Sequence, residues 1–400
     1  MAATTLNYVP AQERSGIALC LSGGGYRAAL FHLGAVRRLD ELGILSQVTT
    51  IASVSGGSIL AAHLADRLQP WPGGGRSSRD WEVSVAARFR ALTARNIRTW
   101  PILRRLLPWN WLRTSTGVET LAGIYQSRLT GLMLEQLPER PRFILCATDM
   151  SYGVNWVFER SRMGDYQVGY VKPPPSWPLG RAVAASSCFP PIFNPLPIRG
   201  DVGAFKSGKA PPGPERDKCL SNLRLTDGGN YDNLGLEPVW KDHAVLFVSD
   251  GGATFDVESD KNLIWRLSRY MAIQGNQALA LRKRWLIASF ISNQLKGTYW
   301  GVGSSTASYG DPPSPGYSEP LVKKRIAEIR TDMDAFSEAE AKVLENHGYL
   351  VCEAAIRTHA SEWSVIQAPL VTPHAEWMDE DRVTAALANS HRRRLPLGRW

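Results

Sequence analysis

Ser55 stands where a strand-like run meets a helix-like one. Val48 to Val54 is apolar, Ser55-Gly56-Gly57 follows, and Ser58-Ile59-Leu60-Ala61-Ala62-His63-Leu64 reads as a helix. A hydroxyl at a strand–turn–helix junction is the setting of a nucleophile elbow, whose strained turn demands small neighbours. Gly57 supplies the glycine two residues after the serine in G-x-S-x-G, whereas Ser53 replaces the glycine two residues before it. An ordinary turn ahead of a helix would look similar, so the chemistry must be argued from partners elsewhere in the chain.

The first partner precedes it. Ser22-Gly23-Gly24-Gly25-Tyr26-Arg27 follows the apolar run Ile17 to Leu21 and opens a helical stretch, Ala28 to Leu42, which Gly43 stops. Three glycines there let backbone N–H groups converge on one anion at a helix N-terminus. A dinucleotide fingerprint would need a later glycine where Ala28 and Ala29 stand. A P-loop would need Gly-Lys-Ser/Thr. An oxyanion hole needs only convergent donors and small residues, and fits best. The alternative is a tight turn without chemistry, at the entropic cost of three adjacent glycines.

A carboxylate could complete the set. Two short apolar strands end in Asp-Gly-Gly: Leu223 to Thr226 leads to Asp227-Gly228-Gly229, and Ala244 to Val248 leads to Asp250-Gly251-Gly252. Spacing does not choose between them, and either aspartate could simply cap a turn. Serine hydrolases normally use histidine as base. The seven histidines are His32, His63, His243, His347, His359, His374 and His391, and none sits in a glycine-flanked strand-end loop. A Ser/Asp pair is therefore the reading, provided burial raises the carboxyl pKa toward the working range.

The elements that would hold these groups alternate strand and helix from the start, β-loop-α-β-turn-α, which predicts an α/β sheet with right-handed crossovers. In such sheets functional residues gather at the carboxyl ends of strands. Arg142 to Ala147 is a further strand, with Asn155 to Glu159 as its hairpin partner. Leu179 to Phe189 reads as a helix, Gly200 to Lys218 and Ser305 to Tyr317 as loops. Lys261 to Trp300 carries helical periodicity with a basic patch, Arg282-Lys283-Arg284. Ser337 caps a helix that runs to about His359. Residues 1–14 are expected to be flexible, and the basic tail 391–400 to be loose.

Composition limits the partners. The chain has 400 residues, a formal net charge of +9 and fourteen tryptophans, which points to an anionic partner. Val83 to Val118 contains no acidic residue. It interleaves Arg88, Arg90, Arg95, Arg98, Arg104, Arg105 and Arg113 with Phe89, Trp100, Leu106, Trp109, Trp111 and Leu112. Such a segment suits a phospholipid headgroup layer. The competing reading makes the tryptophans core and the arginines a solvated face. No nucleic-acid motif accompanies it. Five scattered cysteines suggest no zinc site or disulfide framework and a reduced, cytoplasmic protein. No leader or membrane-spanning stretch is expected, so any membrane association would be peripheral.

Taken together, Leu21-Ser22-Gly23-Gly24-Gly25-Tyr26-Arg27, Ser53-Val54-Ser55-Gly56-Gly57 and Asp227-Gly228-Gly229 resemble the patatin-like phospholipases, over roughly residues 15 to 255. The resemblance implies a three-layer α/β/α sandwich with a mainly parallel central sheet and a metal-free, cofactor-free lipid acyl hydrolase. It makes Ser55 the nucleophile, Asp227 the base, and Gly23, Gly24 and Gly25 the oxyanion loop, with Arg27 as its basic member. It favours Asp227 over Asp250, because the family's Asp-Gly-Gly/Ala follows a segment like Ser186 to Phe193. Ala28 and Ser53 depart from the pattern but are small. The implied organisation is one hydrolase domain over 15–390, with a lid-like insertion at 70–135 and a helical part at 256–390. The implied partner is a lipid ester at an anionic membrane surface met through 83–118. A catalytically silent lipid-binding module and an acyl-thioesterase are the alternative readings.

Overall fold

Short apolar runs that end in glycine turns become the parallel strands of one sheet. The computed structural model describes residues 13–73, 80–105, 107–110, 113, 115–199, 202–255, 259–310, 314–394 and 397–400. Residues 1–12 of the expected flexible start, Leu106, Trp111 and Leu112 of the basic segment, and residues 395–396 of the tail lie outside that set.

The strands are β1 (Ile17–Leu21), β2 (Thr50–Val54), β3 (Arg142–Asp149), β4 (Val154–Phe158), β5 (Met163–Asp165), β6 (Gly169–Val171), β7 (Leu196–Pro197), β8 (Arg224–Asp227), β9 (Val245–Asp250) and β10 (Lys296–Gly301). Their order is β10-β9-β1-β2-β3-β4-β5-β6. The first five in that order are mutually parallel, and the extension β3-β4-β5-β6 is antiparallel. The central parallel strands β1, β2 and β9 are buried on both faces, so they read as mainly apolar runs rather than alternating ones. Residues of β1 and β2 still sort by parity. Leu19, Leu21 and Ile51 enter one buried cluster, and Ala18, Cys20, Ala52 and Val54 the other.

The helices are α1 (Gly25–Glu41), α2 (Gly56–Arg67), α3 (Ala87–Thr93), α4 (Thr99–Arg105), α5 (Thr116–Arg128), α6 (Leu179–Ser187), α7 (Pro214–Ser221), α8 (Gly229–Asp232), α9 (Leu263–Ile291), α10 (Glu319–Leu321), α11 (Glu338–His359) and α12 (Glu380–Ala386). The first layer, α1, α2 and α11, buries the larger cluster against the sheet. Its helices are tied by a buried ion pair, Arg38 Nε to Glu353 at 2.8 Å. Ser337 caps α11 through a reciprocal pair: Ser337 Oγ accepts from Glu340 N and Glu340 Oε2 accepts from Ser337 N. The other layer is thinner, with Leu234, Leu236 and Val239 and, from α9, Leu286.

Three local expectations change. Helical periodicity runs out at Ile291, and Lys296–Gly301 becomes the edge strand β10, parallel to β9. The loop after Gly200 carries the short helix α7. The tail's described end is pinned rather than loose. Asn96 Nδ2 donates to the carbonyls of Leu397 and Arg399, and the Arg399 guanidinium pairs with Glu340.

The segment 83–118 follows neither reading evenly. Arg98 is buried in an ion pair with Asp332 at 2.7 Å, and Arg90 reaches buried Glu345 at 2.6 Å, so two of its cations serve the interior. Phe89 is core, while Trp100 and Trp109 are exposed. Among the described residues no helix is long and apolar enough to cross a membrane.

Candidate active site

The sheet's register brings two loop-end side chains together. β2 pairs with β3 up to Val54↔Cys146, and β8 pairs antiparallel with the same strand down to Asp227↔Ala147. The two strands therefore approach head-on, and Ser55 and Asp227 both line one cavity of about 360 Å³.

Ser55 holds φ 50° and ψ −114° as the residue that caps α2. That conformation costs a side-chain-bearing residue on the order of 1–3 kcal/mol and persists only when surroundings over-determine it. They do so here. Ser55 N donates to Ser186 Oγ at 2.9 Å, and Ser186 Oγ donates to Cys146 O at 2.6 Å. Ser58 Oγ lies 2.9 Å from Ser186 Oγ and donates to Ser53 Oγ at 3.0 Å. Ser53 in turn donates to Ile144 O at 3.2 Å. The serine that replaces the expected glycine thus finds a partner on β3. A Cβ on Gly57 would stand 2.2 Å from Leu21 O, and one on Gly56 2.2 Å from Gly25 O. Both positions are closed to any side chain by backbone, which does not yield.

Asp227 is buried. Its Oδ1 accepts the Gly229 N–H at 2.8 Å, while Oδ2 is buried with no hydrogen-bond partner. Burial pushes its pKa from the ordinary 3.8 to about 6, although the Gly229 amide and the Ser55 hydroxyl draw it back. The Ser55 hydroxyl acts on this carboxyl without completing a hydrogen bond to it. A pKa raised this far brings a carboxyl into the range that general-base chemistry near neutrality requires.

The glycine loop closes the cavity's other side. Gly24 and Gly25 line it, at φ 140° and 59°. Gly25 and Gly56 open α1 and α2, so their N–H groups have no acceptor within their helices. Among the described residues neither amide, nor that of Gly24, donates elsewhere. Gly23 and Arg27, expected around the oxyanion, face other groups. Gly23 N donates to Asn233 O at 3.0 Å. The buried Arg27 guanidinium donates to the carbonyls of Gly251, Ala327 and Ile329 and fastens the loop from behind.

Asp250, the other Asp-Gly-Gly aspartate, ends β9 and accepts from Tyr299 Oη at 2.8 Å and pairs with Lys283 at 2.5 Å. It lines a neighbouring cavity that lacks Ser55. Lys283 beside it holds its carboxyl below the usual range despite burial. No histidine lines the Ser55 cavity. His32 sits behind the loop, with Nε2 donating to Ser22 O at 3.0 Å and Nδ1 accepting from Ser249 Oγ at 2.7 Å. Burial pulls its pKa down to about 4, so it is neutral support. The remaining wall mixes apolar side chains, Phe189, Ile192, Phe193, Phe255, Leu279 and Met333, with polar ones such as Asn230, Asn276, Arg282 and Asp332. A larger cavity, about 520 Å³, is lined by Arg104, Arg113, Arg199 and Arg224 and holds neither Ser55 nor Asp227. The site is placed by chemistry, not by volume.

Three contributors escape sequence reasoning: Ser186 as acceptor for the Ser55 amide, Gly56 as a third open amide, and Asn233 as the brace on Gly23. Only Gly56 carried a local signal, as the residue after the elbow serine.

This fold and site define a class, and the family model for patatin-like phospholipase matches residues 19–240. The chain belongs to the patatin-like phospholipase family. No curated protein matches the sequence significantly. Human GIVD cytosolic phospholipase A2 is a similar solved structure, at 13% identity and TM-score 0.45, covering 94% of this chain and 63% of its own. Its complex with methyl gamma-linolenyl fluorophosphonate gives 14%, 0.47, 94% and 59%. VipD from Legionella pneumophila gives 14%, 0.36, 88% and 68%. The chain thus spans about three-fifths of the length of the human phospholipase structures it resembles.

Proposed function

We propose that the chain is a lipid acyl hydrolase that cleaves carboxylic esters through Ser55 and Asp227. The Ser55 oxygen forms a bond to the acyl carbon while its proton passes to Asp227. The tetrahedral oxyanion is held by the amides of Gly24, Gly25 and Gly56, each contributing roughly 10²–10³ in rate by analogy with oxyanion donors generally. Asp227 then gives the proton to the departing alcohol, and water releases the acyl group by the same steps in reverse roles. The single observation that carries this reading is the Asp227 Oδ2, buried and unpartnered in the cavity that Ser55 lines.

The apolar part of the wall suits an acyl chain. Arg393, exposed at the cavity's edge, suits a lipid phosphate. An anionic membrane surface supplies the substrate, met in part through the exposed Trp100 and Trp109 of residues 83–118. The test is fluorophosphonate labelling of the full chain, then hydrolysis of a lipid panel. Labelling is expected at Ser55, and Ser55→Ala is expected to abolish both labelling and turnover. A wild-type protein inert to the probe and to every ester would instead make this a silent lipid-binding module; turnover of thioesters alone would make it a thioesterase.

A further inference from the structure

Helix α9 is the longest helix among the described residues, and most of its length lies outside the two buried clusters. Its inner side carries Gly275, Asn276, Leu279 and Arg282 to the wall of the Ser55 cavity, and further along buries Leu286 against the sheet. Its outer side carries Leu263, Leu267, Tyr270, Met271, Leu281 and Trp285. These recur at the four-, seven- and eight-residue spacings of a single helix face. Soluble helices put such a stripe inward. Here Leu263 and Met271 are each 68% exposed, Leu281 is 60% and Leu267 is 56%. An apolar stripe of this length left in water marks an interaction surface.

The charges choose the occupant. Between Leu263 and Ile291 there are five basic residues and no acidic one; Arg266, Arg282 and Lys283 pair with Asp260, Asp232 and Asp250, which leaves the exposed Arg284 to set the sign of the charge beside the stripe. A second copy docking on this face would set like charges against like, which is repulsive. An anionic lipid surface attracts Arg284 and accepts the apolar side chains, with Tyr270 suited to the headgroup boundary.

We propose that the outer face of α9 docks on an anionic bilayer, so that the helix forming one wall of the Ser55 cavity is also the element that seats the protein on its substrate. The proposal rests on the lipid hydrolase reading for its purpose but not for its observation. It gives the basic, Trp-rich segment 83–118 a secondary part in that contact, since its exposed aromatics, Trp100 and Trp109, form no stripe comparable to that of α9. The apolar face of α9 supplies the depth of insertion and Arg284, exposed beside it, a long-range attraction.

The experiment uses the full chain carrying Ser55→Ala, so that vesicles stay intact, and measures co-sedimentation with phosphatidylglycerol–phosphatidylcholine vesicles and with phosphatidylcholine alone. Binding is expected only to the anionic vesicles. Adding Leu267→Asp and Met271→Asp is expected to weaken it at least about tenfold, and Arg284→Glu to weaken it in a salt-dependent way. In the Ser55 background the same two aspartates are expected to leave hydrolysis of a soluble short-chain ester within about twofold of wild type. That control shows the fold and cavity intact. Undiminished vesicle binding by the double variant would overturn the proposal. So would equal binding to neutral vesicles, or a dimer in sedimentation velocity that the two aspartates dissociate. A protein that binds vesicles through α9 but turns over no ester would overturn the hydrolase reading and leave the docking face standing.

Discussion

Ser55 and Asp227 end two strands that run head-on along one edge of β3: Val54 pairs with Cys146, and Asp227 pairs with the next residue, Ala147. A parallel strand and an antiparallel one thus share an edge and deliver their terminal side chains to a single cavity. β3 itself sets the spacing between the two side chains.

The buried carboxyl makes activity and stability oppose each other. Under the proposed mechanism Asp227 takes the serine proton only when ionised, so kcat/KM on a soluble ester should rise with pH through about 6 and then level off. Asp227→Asn should lower kcat by about 10²–10⁴. For stability the sign is reversed. A carboxyl whose folded pKa is raised carries no penalty below its ordinary 3.8 and the full penalty above about 6. At roughly 1.4 kcal/mol per pH unit, that penalty is at most on the order of 3 kcal/mol. Urea unfolding should therefore find Asp227→Asn more stable than wild type at pH 8, with the advantage shrinking as pH falls toward 4. Equal stability at pH 8 would mean that the carboxyl is not buried as described.

Gly56 tests the amide cluster. A Cβ there would lie 2.2 Å from Gly25 O, so Gly56→Ala must push the elbow away from the glycine loop. Turnover is expected to fall by about 10² or more, in the range of one lost oxyanion donor. Gly123→Ala is the comparison. It lies on α5 with nothing within 4 Å of the added Cβ, and should be neutral or stabilise by roughly 0.5–1 kcal/mol. Matching losses in the two variants would dissociate Gly56 from the site.

Ser186 tests the support of the strained serine. Ser186→Ala removes the acceptor of the Ser55 N–H and a donor to Cys146 O, both buried. The expected cost is about 1–3 kcal/mol of stability, with a fall in kcat larger than any rise in KM and slower fluorophosphonate labelling of Ser55. Cysteine at the same position, a weaker acceptor, should fall between. Labelling at the wild-type rate in Ser186→Ala would show that the elbow holds its conformation without this bond.

The local parts of the site are legible in the sequence because they are local. A buried strand, a glycine-rich turn and a helix start leave their marks within a dozen residues, and so β1, β2 and β8 and the residues at their ends could be read directly. The braces could not. Ser186 meets the Ser55 amide from 131 positions away, and the Asn233 carbonyl accepts from Gly23 N far from it in sequence. A serine and an asparagine carry no periodicity to announce such partners. Nor could charge pattern tell that Arg98 is buried against Asp332 while the adjacent Trp100 is exposed. Composition counts side chains without their directions.

The sequence by itself determined which residues could do chemistry: Ser55, the glycine loop, and an aspartate at one of two Asp-Gly-Gly turns. Spacing left Asp227 and Asp250 equal, and family resemblance favoured the first. Tertiary structure puts the two in different surroundings. β8 runs antiparallel into the end of β2, so its last residue meets Ser55, whereas β9 runs parallel on the far side of β1 and hands Asp250 to Lys283 and Tyr299. It also decided what faces water. The apolar stripe of α9 looks like core in one dimension, yet Leu263, Leu267, Met271 and Leu281 stay exposed while Leu286 of the same helix enters a buried cluster.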